Sequence, residues 1–184
     1  MAFNIYNPPL ARHMFEETGK WTWVWVAVRL YIGWQWVEAG WHKLGDPKWM
    51  DGGTALKGFW ERAIAVPAAP VKPLITYGWY RDFLEVLLSG EHYTWFAKLV
   101  ACGEFAIGIA LIVGAFVGIA AFFGATMNFN FMLAGSSSSN PVMFLGAVLL
   151  ILAWKTAGHW GLDRWLLPRL GTPWNREDPP STQQ

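Results

Sequence analysis

Four stretches of mostly apolar residues alternate with polar segments along the chain, and each stretch suits a helix that crosses a bilayer. A spanning helix needs roughly 20 predominantly apolar residues. The four stretches cover residues 21–43, 93–115, 117–134 and 141–158. Because the connections between the last three are short, these helices should be antiparallel neighbours. The pattern predicts an all-α fold, an integral membrane four-helix bundle formed by residues 21–158.

The segment between the first and second stretches, residues 44–92, has a different pattern. Residues 54–63 and 79–88 each carry aromatic side chains on one helical face and charged side chains on the other. An amphipathic helix of this kind lies in the plane of a membrane interface. We therefore predict two interfacial helices that fold over one mouth of the bundle.

The two ends of the chain set its predicted orientation. Residues 1–20 form a polar, turn-rich arm, and residues 159–184 mix tryptophan with arginine before ending in a polar tail. The second segment is typical of an interfacial anchor. With four spans both termini share a side, and basic residues in the short flanks favour the cytoplasmic side. The sequence thus predicts a multi-pass protein of the cytoplasmic membrane with cytoplasmic termini.

The composition agrees with a membrane protein. The 184 residues are 54% hydrophobic and only 15% charged, whereas average domains are about 25% charged. The chain has 14 tryptophans, a residue that collects at membrane interfaces. The net charge is +1 without a basic cluster, which argues against a nucleic-acid partner. The bilayer is the predicted partner.

Two charged residues lie deep inside predicted spans, Arg29 in the first and Glu104 in the second. A charge at the bilayer centre costs about 2.5 kcal/mol or more, so it usually finds a partner. Counted from opposite ends of antiparallel helices, the two residues lie at a comparable depth. We therefore predict an ion pair between Arg29 and Glu104 that braces the bundle.

Glu38 and His42 are four residues apart and therefore share one face of the first helix. They lie near the mouth that residues 44–92 are predicted to cover. A histidine titrates near neutral pH and a neighbouring carboxylate adjusts it, so the pair can pass protons. We predict that they are catalytic, beside an aromatic ligand-binding wall made of Trp34, Trp41, Trp60 and Trp79.

Haem and metal sites are not predicted. Of the four histidines, only His42 and His92 fall on the same side at a similar depth, and His92 precedes the second span. Glu38 and His42 form the single close pair of metal-ligating residues, which is too few for a metal site. Cys102 is the only cysteine, so neither an internal disulfide nor a CxxC centre is possible.

The stretch RLYIGWQWVEAGWHKL, residues 29–44, resembles the first helix of the DoxX/DoxD family of bacterial and archaeal membrane proteins. The shared pattern is an arginine (Arg29), a glycine-aromatic pair (Gly33 and Trp34) and an AGW-x-K ending at Lys43. The resemblance continues through residues 103–135 and into the fourth helix. It implies a four-helix membrane bundle.

The family resemblance also implies an activity. The family includes the large subunit of a thiosulfate:quinone oxidoreductase, which works with a small partner subunit. By this resemblance we predict that the chain is the quinone-binding part of a membrane oxidoreductase, with quinone as its cofactor. We also predict that it assembles with a partner subunit or as a homo-oligomer. The alternative is a non-catalytic accessory subunit of a larger respiratory or photosynthetic complex. A transporter is less favoured, because four spans without an internal repeat are few for alternating access.

Overall fold

The computed structural model describes residues 9–170, and within this range the regular structure is entirely helical, without β-strands. This confirms the predicted all-α class. The first eight residues and the predicted tail lie outside the described residues. The helices are α1 (Pro9–Phe15), α2 (Trp21–Leu44), α3 (Pro47–Met50), α4 (Thr54–Ile64), α5 (Gly78–Ser89), α6 (Tyr93–Val113), α7 (Val117–Leu133), α8 (Asn140–Leu152), α9 (Trp154–Ala157) and α10 (Asp163–Arg169).

Helices α2 and α6 form the most extensive contact of the fold, and glycines line it. A Cβ atom added at Gly40 would lie 2.5 Å from the backbone nitrogen of Phe105, and one added at Gly108 would lie 2.5 Å from that of Val37. A Cβ atom added at Gly33 would lie 3.1 Å from the carbonyl oxygen of Gly108. Small residues let helix backbones approach this closely. The two helices therefore touch backbone to backbone.

Helices α7 and α8 complete a closed arrangement with this pair. Helix α7 packs against both α6 and α8, and α8 packs back onto α2. The enclosed core is apolar and includes Ile32, Trp36, Leu111, Ala121 and Leu150, each at most 2% exposed. The turn between α6 and α7 is only three residues long, so these two helices run antiparallel.

Helices α4 and α5 cover one end of this arrangement, as the amphipathic pattern of residues 44–92 predicts. Their apolar faces bury Leu56, Trp60 and Leu84 in a second core with residues of α6. The hydroxyl of Tyr80 donates a hydrogen bond of 3.0 Å to the carbonyl oxygen of Asn130 in α7. Burial raises the pKa of Tyr80 to about 12, so the hydroxyl keeps its proton. The segment is a packed cover rather than a solvated linker.

The segment after α9 closes the opposite end. The backbone N–H of Asp163 donates to the carbonyl oxygen of Gly114, at 2.8 Å. The Asp163 carboxylate accepts hydrogen bonds from the N–H groups of Phe116 and Val117, at 2.6 and 2.9 Å. These donors open α7 and have no partner within the helix. Asp163 therefore caps α7 from a distant part of the chain.

Helix α6, with 21 residues, is the one helix in the described range that is both long and apolar enough to cross a membrane. Helices α7 and α8 are apolar but shorter. Helix α2 has 24 residues but carries Arg29, Glu38 and Lys43. The structure thus identifies one spanning candidate where the sequence pattern predicts four.

The contact between α2 and α6 can be tested with the same substitution at two glycines. Replacing glycine by alanine inside a helix normally stabilises it by about 1 kcal/mol. At Gly40 the new methyl group would collide with the backbone of Phe105, and overpacking costs about 1–3 kcal/mol. We expect Gly40→Ala to lower the melting temperature in detergent.

Gly58 in α4 provides the matched control, since a Cβ atom there would meet only the Arg62 guanidinium at 3.8 Å. We expect Gly58→Ala to raise the melting temperature or leave it unchanged. A Gly40→Ala protein at least as stable as the wild type would contradict the close contact between α2 and α6.

Candidate functional site

A cavity of about 720 Å³ lies beneath α4, between α2, α6, α7 and the loop that leads into α8. We call it the polar chamber, because hydroxyl, amide and charged side chains line much of it. Its polar lining residues are Gln35, Glu38, His42, Lys43, Arg62, Glu104, Asn128, Ser136, Ser138, Ser139 and Asn140. Binding pockets of small molecules have similar volumes and combine apolar walls with a few polar groups.

The strongest electrostatic feature of the polar chamber is an ion pair between Lys43 and Glu104. The Lys43 ammonium lies 2.5 Å from a carboxylate oxygen of Glu104. Glu104 is 1% exposed, whereas Lys43 is 21% exposed. The ammonium also lies 5.1 Å from the centre of the Trp49 ring, which is within the range of a cation–π contact. The pair fixes the end of α2 to the middle of α6.

The predicted ion pair between Arg29 and Glu104 is therefore wrong. The glycine contact sets the register, so that Gly40 lies beside Phe105 and Arg29 lies beside Gly114. Glu104 is ten residues from Gly114, about 15 Å along α6 at 1.5 Å per residue. Counting residues from the ends of the two predicted spans placed both charges near mid-helix, and this count did not include the shift between the two helices.

Arg29 serves the opposite end of the fold. Its side chain is 2% exposed, and one guanidinium nitrogen donates a hydrogen bond of 3.2 Å to the carbonyl oxygen of Trp160. It thereby joins α2 to the segment that carries Asp163. The structural role of Arg29 stays a prediction. Its observed hydrogen bond is with the segment that carries Trp160 and Asp163, and not with Glu104.

Glu38 and His42 both line the polar chamber, as expected for residues that share a helix face. Both are exposed, so they lie on its open side rather than in its depth. The structure thus brings the two predicted catalytic residues together with the Lys43–Glu104 pair in one cavity. Their catalytic role remains a prediction.

Asn128 is a residue of the polar chamber that the sequence analysis does not select as a site residue. It is fully buried, yet neither its side-chain oxygen nor its side-chain nitrogen has a hydrogen-bond partner among the described residues. The indole nitrogen of Trp36, in the same cavity wall, is also without one. A buried amide without partners costs about 1–3 kcal/mol. A polar residue inside the apolar pattern of α7 was the available signal.

The four predicted ligand-binding tryptophans are not brought together. Trp34, Trp41 and Trp79 are 61%, 65% and 63% exposed, on the outside of the fold. Trp60 is 4% exposed and packs in the second core. Because α2 buries positions three or four residues apart, Trp36 faces the interior and Trp34 faces away. The prediction that these four tryptophans form one ligand-binding wall is therefore wrong.

A second cavity, of about 470 Å³, lies on the other side of α4 and is bounded by α5, α6 and α7. We call it the apolar cavity. Trp60, Phe96, Ile107 and Met127 are among its lining residues. It shares three lining residues with the polar chamber: Leu56, Phe59 and Phe131. The two cavities are therefore neighbours with a common wall.

Metal-ligating residues do not cluster in the described range. No group of three or more His, Cys, Asp or Glu side chains lies close enough there to hold an ion. Glu38 and His42 offer a single pair.

Comparison with known proteins gave one partial match. No protein-family model and no solved structure matches the chain. A curated protein, a probable arabinosyltransferase A from Mycolicibacterium smegmatis, is 34% identical over an alignment of 90 residues that covers 42% of this chain and 8% of that protein. The chain thus spans less than a tenth of the length of this relative. The match has no bearing on the DoxX/DoxD resemblance.

The contribution of the Lys43–Glu104 pair to thermal stability can be tested by replacing one or both partners. Replacing one partner of a buried ion pair leaves an uncompensated charge and costs about 3–5 kcal/mol. We expect Lys43→Met to lower stability strongly, measured by thermal melting in detergent. The double variant Lys43→Met/Glu104→Met should recover most of the loss, since apolar replacement of a whole pair is often neutral.

Lys98→Met, at an exposed position of α6, is the control and should melt like the wild type. If the double variant is as unstable as Lys43→Met alone, an uncompensated charge on Glu104 is not the cause of the loss, and the prediction is wrong.

Proposed function

We propose that the chain is a membrane-integral, quinone-binding subunit of an oxidoreductase, related in activity to the thiosulfate:quinone oxidoreductases of the DoxX/DoxD family. The single observation that carries this proposal is the polar chamber. The Lys43–Glu104 ion pair, the side chains of Glu38 and His42, and a buried amide without hydrogen-bond partners among the described residues share one cavity inside a largely apolar helical fold. Such a site suits a ligand that exchanges protons and hydrogen bonds.

The proposal places the fold in a bilayer, with α2, α6, α7 and the α8–α9 pair as its four spans. Large apolar side chains on their outer surfaces support this: Leu99, Ile109, Ile119, Phe122, Phe123, Phe129, Val142, Leu145 and Leu152 are each at least 41% exposed. Soluble monomers rarely expose apolar surface on this scale.

The internal arrangement of charges also suits a bilayer. Arg29 and Glu104 are 2% and 1% exposed, so both point into the fold rather than towards lipid. Charged residues of membrane spans usually face the interior and pair there. Helix α7, with 17 residues, is about 25 Å long, and local bilayer thinning accommodates such a mismatch at modest cost. The proposed location is the cytoplasmic membrane with cytoplasmic termini.

Asn128 would hold the reacting oxygen of the ligand. An amide offers N–H donors and a carbonyl acceptor. A quinone oxygen accepts from the donor, and the hydroxyl of the quinol product donates to the acceptor. The same side chain can therefore form a hydrogen bond with the oxidised and with the reduced form. This would give the partnerless amide its hydrogen bonds.

Glu38 and His42 would deliver protons. Reduction of a quinone to a quinol consumes two electrons and two protons, and the protons must come from water. Both residues lie on the open side of the polar chamber. A histidine and a carboxylate one turn apart can relay protons from there to the buried Lys43–Glu104 pair and the ligand.

The electrons would come from thiosulfate through a partner subunit. Two thiosulfate ions form one new sulfur–sulfur bond to give tetrathionate, and the two electrons released reduce one quinone to quinol. Cys102 is the only cysteine of the chain and is exposed. A centre made of two thiols would therefore need at least one cysteine from the partner.

Glu38→Gln tests the proton role. We expect quinol formation driven by thiosulfate, in membranes that contain the chain with its co-expressed partner, to fall about 100-fold. The control is Glu85→Gln, an exposed carboxylate of α5, which should keep wild-type activity. Equal rates in wild type and Glu38→Gln would remove Glu38 from the mechanism. Co-purification with a large complex without quinone reduction would instead support the accessory-subunit alternative.

Asn128→Leu tests the ligand contact. Loss of a hydrogen bond to a bound ligand costs about 1.5 kcal/mol, so we expect KM for quinone to rise about tenfold. Thermal stability should stay unchanged or rise, because the substitution removes a buried amide without partners. A variant that loses stability while KM stays constant would show that Asn128 is structural.

A further inference from the structure

We propose that the apolar cavity holds the hydrocarbon chain of the same quinone whose ring occupies the polar chamber. This inference rests on the proposed function and extends it to the class of quinone, one with a long chain. It assigns a role to a cavity that the proton and hydrogen-bond chemistry does not use.

Three polar side chains around the apolar cavity, those of Tyr80, Thr126 and Asn130, already have hydrogen-bond partners. The Tyr80 hydroxyl donates to the carbonyl oxygen of Asn130 at 3.0 Å. The Asn130 side-chain nitrogen donates to the carbonyl oxygen of Thr126 at 2.8 Å, and the Thr126 hydroxyl donates to that of Phe122 at 2.9 Å. These three groups are therefore not free to bind a polar group of a ligand. The lining favours hydrocarbon.

The polar chamber, in contrast, contains a polar side chain that lacks hydrogen-bond partners among the described residues. Asn128 and Asn130 are two residues apart on α7 and so point about 200° apart around the helix. Asn128 lines the polar chamber without a hydrogen-bond partner among the described residues, whereas Asn130 lines the apolar cavity with its groups satisfied. One side of α7 thus requires a polar ligand group and the other does not. An amphipathic molecule meets both conditions.

The common wall allows one molecule to reach both cavities. Leu56, Phe59 and Phe131 each line the polar chamber and the apolar cavity. Phe59 and Phe131 are only partly buried, so rotation of their rings can open a passage beside α4. The cavities are otherwise separated by the packed bodies of α6 and α7. The passage would therefore run at the level of these three side chains.

The apolar cavity also opens towards the surface that the proposed function places in lipid. Among its lining residues, Phe83, Leu99 and Phe123 are 46%, 56% and 54% exposed. A membrane quinone approaches from the hydrocarbon region, and its chain can remain at this opening while the ring enters. The apolar cavity would thus be both the chain site and the entry side.

The test uses a quinone with a photoreactive diazirine on its hydrocarbon chain, in nanodiscs of dioleoyl phosphatidylcholine with the full-length chain. After illumination, labelled peptides are identified by mass spectrometry. We expect labels on residues 96–107 and 123–134. Excess unlabelled long-chain quinone should compete for the site and reduce this labelling. A quinone without a chain should compete too, because its ring would occupy the polar chamber.

A variant with a larger side chain inside the apolar cavity tests whether the quinone chain needs this space. A Cβ atom at Gly103 would meet only the Met127 sulfur at 3.9 Å, so Gly103→Leu can fill the apolar cavity without a backbone collision. We expect labelling of residues 123–134 to fall about tenfold. Cys102→Leu adds the same side chain one residue earlier, at an exposed position, and should label like the wild type.

The outcomes separate this inference from the proposed function. If chainless quinone binds and responds to Asn128→Leu, but chain labels fall on outer residues such as Val142 and Leu145, the chain site is wrong and the ring site stands. If no quinone binds, both fail. A diazirine-bearing phosphatidylcholine serves as the second arm. If it labels the apolar cavity as strongly and excess quinone does not displace it, the cavity holds a lipid chain and the inference is overturned.

Discussion

The backbone contact between α2 and α6 is the constraint on which the rest of the structure depends. In lipid, helices gain little from burying apolar side chains, so close packing and polar contacts hold them together. Gly33, Gly40 and Gly108 remove the side chains that would keep the two helices apart. The contact also fixes the register, because a shift by one turn would put Val37 or Phe105 in place of a glycine. Every polar contact between the two helices follows from that register.

The register gives the two buried charges of α2 and α6 separate functions. At one end it brings Lys43 to Glu104 and so creates the charged floor of the polar chamber. At the other end it leaves Arg29 beside Gly114, where it bonds to the carbonyl oxygen of Trp160. A single ion pair between Arg29 and Glu104 would have tied two helices together. The observed contacts tie α2 to α6 and to the segment before α10, and leave an accessible charged site at one end.

The sequence predicted what depends on local pattern. The positions of α2, α4, α5, α6 and α7 follow from hydrophobic periodicity, and Glu38 and His42 share a cavity because a helix places residues four apart on one face. Interhelical register cannot be read in this way, since it depends on which glycines meet. The pairing of Arg29 was wrong for that reason. Asp163 was missed because it caps α7 from 46 residues away, a contact that no local pattern encodes.

The tryptophans show a second limit of sequence reasoning. A tryptophan in an apolar helix suits a ligand pocket, a core or a lipid interface equally well by composition. In α2 the burial pattern decides, with Trp36 inside and Trp34 and Trp41 outside. The proposed ligand contacts are therefore Asn128 and the Lys43–Glu104 pair rather than the four predicted tryptophans. These groups were visible in the sequence only as polar residues in apolar helices.

The polar chamber is difficult to explain by stability alone. A buried ion pair seldom stabilises a fold more than apolar residues of similar volume would. A buried amide such as Asn128, which has no hydrogen-bond partner in the described part of the chain, lowers stability. Helices α2 and α6 already meet through glycines, so they do not need Lys43 and Glu104 to find each other. A cavity that concentrates such groups beneath a cover of amphipathic helices is a costly arrangement for a purely structural element. The cost is offset when a ligand completes the missing hydrogen bonds, which is why the chamber, rather than the aromatic exterior, is the place to look for function.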